Sequence, residues 1–117
     1  MKMGIGTNTQ KPDAGEMKGG QDKVACGVWF TSSGTAMPQL IKYKDREEEI
    51  HCIHNIRVLT REKKFYCGIL VIEYLCSSIQ EEETEDEGRE ILFKLYYYPE
   101  ECRWKIAWLR EEQPSAR

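Results

Sequence analysis

The sequence has no apolar run of the ~18 to 20 residues that a membrane-crossing helix requires, so no transmembrane helix is expected. Its first twenty residues lack the continuous apolar stretch and small-residue cleavage site of a secretory leader. It also lacks any Cys-x-x-Cys pair. Cys26, Cys52, Cys67, Cys76 and Cys102 stand apart, and all but Cys102 lie inside strand-like apolar runs. Buried, reduced thiols and a cytoplasmic protein are the reading that follows. Neither a glycine-rich phosphate loop, a Gly-x-Ser-x-Gly elbow nor an EF-hand loop is present, which removes the commonest local signatures of nucleotide, acyl-transfer and calcium chemistry.

Positive charge is also in short supply. The 117 residues carry a formal net charge of -3 and an isoelectric point near 5.5, where a general nucleic-acid binder shows a basic domain. The acidity is local: residues 81 to 90 (EEETEDEGRE) hold seven acids against Arg89 alone. That stretch is too charged to join a core and reads as a solvated loop. A 3.6-residue apolar stripe is missing everywhere, so no helix is expected.

Hydrophobic residues that alternate are abundant, and they predict strands separated by turn chemistry. The first spans Val24 to Ser32 and is followed by a Ser33-Gly34-Thr35 turn, with Gly34 at positive φ. The second runs from about Gln39 to Tyr43, with Pro38 before it marking a strand start or an edge. Asp45-Arg46-Glu47 turns into a third strand, Glu49 to Thr60, whose even positions Ile50, Cys52, His54, Ile56 and Val58 are expected to face inward. A charged turn at Arg61 to Lys64 then leads into a long central strand, Phe65 to Ile79, with Gly68 as a bulge or bend. Strand five, Glu90 to Tyr98, and strand six, Arg103 to Leu109, form a hairpin around Pro99-Glu100-Glu101. The resulting expectation is an all-β domain at residues 24–110, a single small antiparallel barrel or compact sandwich of about six strands. Residues 1–23 are expected to be a disordered N-terminal tail and 111–117 a polar C-terminal tail.

Few residues suggest chemistry. His51, Cys52 and His54 invite a zinc test, but in a strand the two histidines face opposite sides, and two ligands do not make a structural site. Cys52 with His54 is the only thiol and base pair on one face, and that face reads as core. The many acids sit in turns and tails, not on the walls of a cleft. No catalytic residue, metal or cofactor is assigned. The one candidate binding surface is aromatic and basic: Tyr96 and Tyr98 point away from the Ile91, Phe93 and Leu95 side, beside Lys94, Arg103 and Lys105, with Trp29 nearby. Such a face can stack bases or grip a peptide, although cross-strand shielding of a sheet uses the same residues.

Two patterns, Gly34-x-x-x-Pro38-x-x-Ile41-x-Tyr43 and Leu95-x-Tyr97 followed by Trp104-x-Ile106, resemble uncharacterised small all-β domains from bacteria. The resemblance spans Val28 to Trp108 and implies a small barrel without an assigned activity. The expected function is a non-catalytic protein- or peptide-interaction module, monomeric and without a membrane partner. Its binding surface would be the outer tyrosine face or the acidic loop. The alternatives are a single-stranded nucleic-acid-binding barrel, with Tyr96 and Tyr98 stacking and Lys94, Arg103 and Lys105 on phosphate, and a small-ligand-binding barrel or enzyme.

Overall fold

The computed structural model describes residues 20–80 and 89–109. Of the tail expected at 1–23, residues 1–19 lie outside the described residues, while Asp22 and Lys23 belong to the first strand; the acidic stretch 81–88 and the tail at 111–117 also lie outside. Seven strands follow one another: β1 (Asp22–Phe30), β2 (Ala36–Lys44), β3 (Ile50–Ile53), β4 (Arg57–Tyr66), β5 (Ile69–Gln80), β6 (Arg89–Tyr98) and β7 (Arg103–Trp108). All neighbours are antiparallel, and the hydrogen-bonded order is β3-β2-β1-β7-β6-β5-β4. The protein is therefore all-β. The order ends on β3 and β4, which do not pair, so the barrel stays open.

Strand β1 is where the sheet turns. Its first residues, Asp22 to Val24, pair with Ile106 to Trp104 of β7. From Ala25 to Phe30 it pairs with Lys42 to Ala36 of β2. A strand that changes partner part-way along its length is how one sheet becomes two packed layers. Here β1, β2 and β3 fold over β5, β6 and β7. Gly27 sits at the bend-side irregularity, where Gln39 of β2 is the extra residue between Leu40 opposite Gly27 and Pro38 opposite Val28. Pro38 thus lies inside β2, on a stretch that β3 does not reach because β3 pairs only with Ile41 to Lys44. The expected edge position of this proline holds, while the strand starts earlier than expected.

Between the layers the inward residues interdigitate. Ile41 and Ile53 from the smaller layer meet Tyr74, Cys76, Phe93, Leu95, Trp104 and Ile106 from the larger, all of them buried. Rings form two stacks through this core: Phe30, Tyr97, Trp104 and Tyr74 along one side, His51, Tyr43, Trp108 and Phe93 along the other. A buried polar bond crosses from layer to layer: Tyr74 Oη of β5 donates to the Ala36 carbonyl of β2 at 2.5 Å.

Two sequence expectations are corrected by turn chemistry. The strand expected from Glu49 to Thr60 is two strands, broken at Asn55, which has φ 56°. Before the break the odd residues face in, with Ile53 buried and Ile50, Cys52 and His54 exposed. After it Ile56 and Val58 turn inward. A single left-handed residue has reset the alternation, and asparagine is among the few non-glycine residues that accept that conformation. Ser78 Oγ donates to the His54 carbonyl at 2.6 Å and ties the break to β5. The expected turn at Arg61 to Lys64 is strand, and the hairpin is made by Cys67 and Gly68, both at positive φ between Tyr66 and Ile69. Two consecutive positive-φ residues match the twist of the flanking strands, which is why two-residue hairpins use them.

The Tyr74 bond is buried and links segments that only folding brings together. Tyr74→Phe keeps the ring and deletes the donor, so a loss of about 1 to 2 kcal/mol is expected in urea unfolding.

Candidate functional site

On the outer face of the larger layer the register sets Glu73 opposite Tyr96, Lys64 opposite Val71, and Lys105 opposite Tyr96 from the other side. Glu73 is an acid inside the apolar run Ile69 to Cys76, and only 5% of it is exposed. Burying a carboxylate is costly unless it is paired and hydrogen-bonded. It is held three ways: the Tyr66 hydroxyl donates to Oε2, Lys64 Nζ lies 3.2 Å from Oε1, and Lys94 Nζ lies 3.5 Å from Oε1. Burial pushes the carboxyl up, but the Tyr66 hydrogen bond and the two ammonium groups prevail and hold it below the usual carboxylate range. The same burial, with Glu73 beside it, raises Tyr66 far above an ordinary phenol, so it stays a donor.

This network decides the state of the residues singled out by sequence. Tyr96 does face outward with Lys94 and Tyr98, but it is only 6% exposed, closed over by its neighbours. The Tyr98 hydroxyl donates to Gln21 Oε1 at 3.1 Å, and Lys105 Nζ covers the Tyr98 ring at 4.8 Å from its centroid. Arg103 pairs with Glu101 at 3.6 Å. The structure therefore brings Lys94, Tyr96, Tyr98, Arg103 and Lys105 together and leaves Trp29 apart. Trp29 lies five residues beyond Val24, the last β1 residue paired with β7, and it is 71% exposed. The charges and rings of the outer face are spent largely on one another. Sequence reasoning missed Glu73, and the available signal was a lone acid in the middle of a strand-like apolar run.

The expected inward Cys52 and His54 are both exposed, so the core-facing pair is corrected. Cys67 and Cys102 are exposed as well, against the expectation of buried thiols, because each occupies a positive-φ turn position. Cys26 is half-buried and Cys76 fully buried, and burial pushes both thiols up to about 12. His51 faces inward, stacks on Tyr43, and has Nε2 at 2.7 Å from Asp45 Oδ2. Glu49 lies close enough that the three side chains could share a cation. Asp45 already accepts the Glu47 and Glu49 amides at 2.8 and 2.9 Å, so the cluster is accounted for as the turn between β2 and β3.

The remaining features follow from the change of partner in β1. Two strands that part from a third on opposite sides leave a wedge on each side of the parting point. The first wedge, about 400 Å³, opens between β1 and the start of β7, against Cys26, Val28, Phe30, Tyr97 and Trp104. The second, about 1040 Å³, opens between the start of β1 and the end of β2, above Val24, Tyr43, Ile106 and Trp108. Along both, β1 carries backbone with no ladder partner on one side among the described residues: Ala25 to Phe30 facing the first, Asp22 to Val24 facing the second.

These features define an open two-layered antiparallel β fold with a grooved strand edge. The chain matches no family model, no curated protein and no solved structure.

Two measurements check this description. Glu73 is depressed on folding, so its contribution is complete above the unfolded value of ~4.3 and is lost as pH falls through the folded value. Glu73→Gln is expected to cost about 2 kcal/mol at neutral pH, and the gap to the parent should close as pH drops below the unfolded value. Equal gaps at pH 7 and in acid would contradict the assigned network. A thiol reagent at neutral pH should label the exposed Cys52, Cys67 and Cys102 quickly, and Cys26 and Cys76 only after unfolding, since burial shields these two and pushes their thiols up to about 12, where almost no thiolate is present.

Proposed function

We propose that this chain is a non-catalytic β module that binds a protein or peptide partner. The observation that supports it most is the unpaired edge of β1 beside two apolar wedges. An extended peptide can add main-chain hydrogen bonds to such an edge while alternate side chains enter the groove, which is a recurring recognition mode. Trp29 and Phe30, 71% and 58% exposed at the end of β1, supply the large apolar side chains that interfaces concentrate.

The nucleic-acid alternative has less in its favour. Base stacking needs free ring faces, and Tyr96 is buried while Lys105 covers Tyr98. Lys94 is drawn toward the buried Glu73, which it shares with Lys64. The enzymatic alternative rested on Cys52 and His54, which sit exposed and outside both wedges.

Selection of a random-peptide display library against the full chain tests the proposal. Binders are expected, and substitution of a solvent-exposed wedge residue, Phe30→Ser in the first or Ile50→Ser in the second, should weaken them about tenfold or more, equivalent to ~1.4 kcal/mol. A library that yields no binder, or binders indifferent to both substitutions, would remove this reading.

A further inference from the structure

The larger wedge has a chemical pattern that narrows its occupant. Its walls are β1 and β2, whose residues alternate between the inner and outer faces. Inward residues form an apolar floor: Val24 on β1, Tyr43 on β2, with Ile106 and Trp108 of β7 beneath. Outward residues form a rim of cations: Lys23 on β1, Lys42 and Lys44 on β2, and Arg46 in the following turn. Among the described residues, Lys44 alone of these four has a carboxylate within salt-bridge reach, Glu48 at 3.9 Å, and that pair is largely exposed. Lys23 also stands directly opposite Lys105 across the β1 and β7 ladder, a like-charge pairing that costs stability on its own. Asp22 and Asp45 are the acids at the wedge, and Asp45 is held by His51 and two backbone amides.

We infer that this wedge receives an extended peptide from another protein, in which apolar residues alternate with acidic ones. The inference rests on the module reading above and adds the class of ligand. A strand laid between β1 and β2 points every second side chain down onto Val24, Tyr43, Ile106 and Trp108. It points the others up between Lys23, Lys42 and Lys44, so a period-two acidic and apolar sequence satisfies floor and rim together. Unpaired backbone of Asp22 to Val24 supplies the ladder. The volume of about 1040 Å³ suits several inserted side chains.

Other occupants fit less well. Residues 1–19 of this chain carry Lys2, Lys11 and Lys18 against Asp13 and Glu16, and so bring no net negative charge to the rim. Residues 81–88 of a second copy are strongly acidic but contain no apolar side chain for the floor. Single-stranded nucleic acid would satisfy the cations, yet Tyr43 is already packed between His51 and Trp108 and offers no free face to a base.

The test uses the full chain and four fluorescent probes read by anisotropy: a synthetic peptide alternating Glu with Leu and Val, its counterpart with Lys for Glu, its counterpart with Ser for the apolar residues, and an oligo-dT strand. The alternating acidic peptide is expected to bind at least about tenfold more tightly than the other three, with affinity falling as salt is raised. The double substitution Lys42→Glu with Lys44→Glu, at exposed positions that leave the core untouched, should abolish that preference, and Lys42→Arg with Lys44→Arg should retain it. Equal binding of the Glu and Lys peptides overturns the ligand class while leaving the module reading in place. Tighter binding of oligo-dT overturns it in favour of nucleic acid, and concentration-dependent self-association lost in the Glu variant overturns it in favour of a second copy. Failure of every probe together with an empty display selection removes both readings.

Discussion

Strand β1 divides its length between two partners instead of pairing with both over the same residues, and much of the molecule follows from that division. Up to Val24 its hydrogen bonds go to β7, and from Ala25 they go to β2. The transfer bends one continuous order of strands into two layers that share a core. Gly27 and the extra residue Gln39 absorb the twist at the bend, and a buried tyrosine hydroxyl on β5 reaches the β2 backbone on the far layer. Backbone that changes partner also leaves backbone without one, so the bend that creates the core creates the two wedges.

The larger layer solves a different problem on its outer side. A carboxylate at Glu73, with Val71 beneath the same cover at 0% exposure, would be an expensive thing to bury alone. Lys64, Lys94 and the Tyr66 hydroxyl answer its charge, and Tyr96 and Tyr98 roof the ensemble. Such an arrangement holds β4, β5 and β6 in register through side chains as well as through the ladder. It also explains why a cluster with the composition of a binding face has so little left to offer a ligand. Side chains that satisfy one another to cover an apolar strand are not available to satisfy something else.

How much of this the sequence disclosed depended on the range of the interaction involved. Alternation alone identified β1, β6 and β7 closely, since Phe93, Leu95, Trp104 and Ile106 all fall on the buried face that period two assigns them. Gly34 and the Asp45 turn were legible because glycine and aspartate advertise their conformations locally. Alternation failed at Asn55, where one positive-φ residue reversed the parity and split a strand, and at Cys67, a residue type that carries no turn signal. The candidate surface was half legible: that Tyr96 and Tyr98 face outward follows from their own strand, but that Glu73 closes the surface requires the register of β5 against β4 and β6. The wedges were not legible at all, because they depend on where β1 leaves β7 for β2, and the pairing of Val24 with Trp104, far along the chain, leaves no periodic trace.

The treatment of the strand edges bears on which of them is meant to be used. An exposed edge is a template for unwanted pairing, and natural sheets blunt it with charge, brevity or proline. β4, at one end of the order, carries Arg57, Arg61, Glu62, Lys63 and Lys64. β3, at the other, is four residues long. The stretch of β2 that β3 leaves uncovered contains Pro38, whose missing N–H cannot join a new ladder. β1 has none of these protections from Val24 to Phe30: its residues are Val, Ala, Cys, Gly, Val, Trp and Phe, and they border apolar grooves. A sequence that guards three edges and leaves the fourth apolar and open distinguishes that edge from the others. Its two unpaired stretches differ: Ala25 to Phe30, free of charge throughout, borders the wedge beside Tyr97 and Trp104, whereas Asp22 to Val24 borders the cation-rimmed wedge and keeps Lys23 as part of that rim.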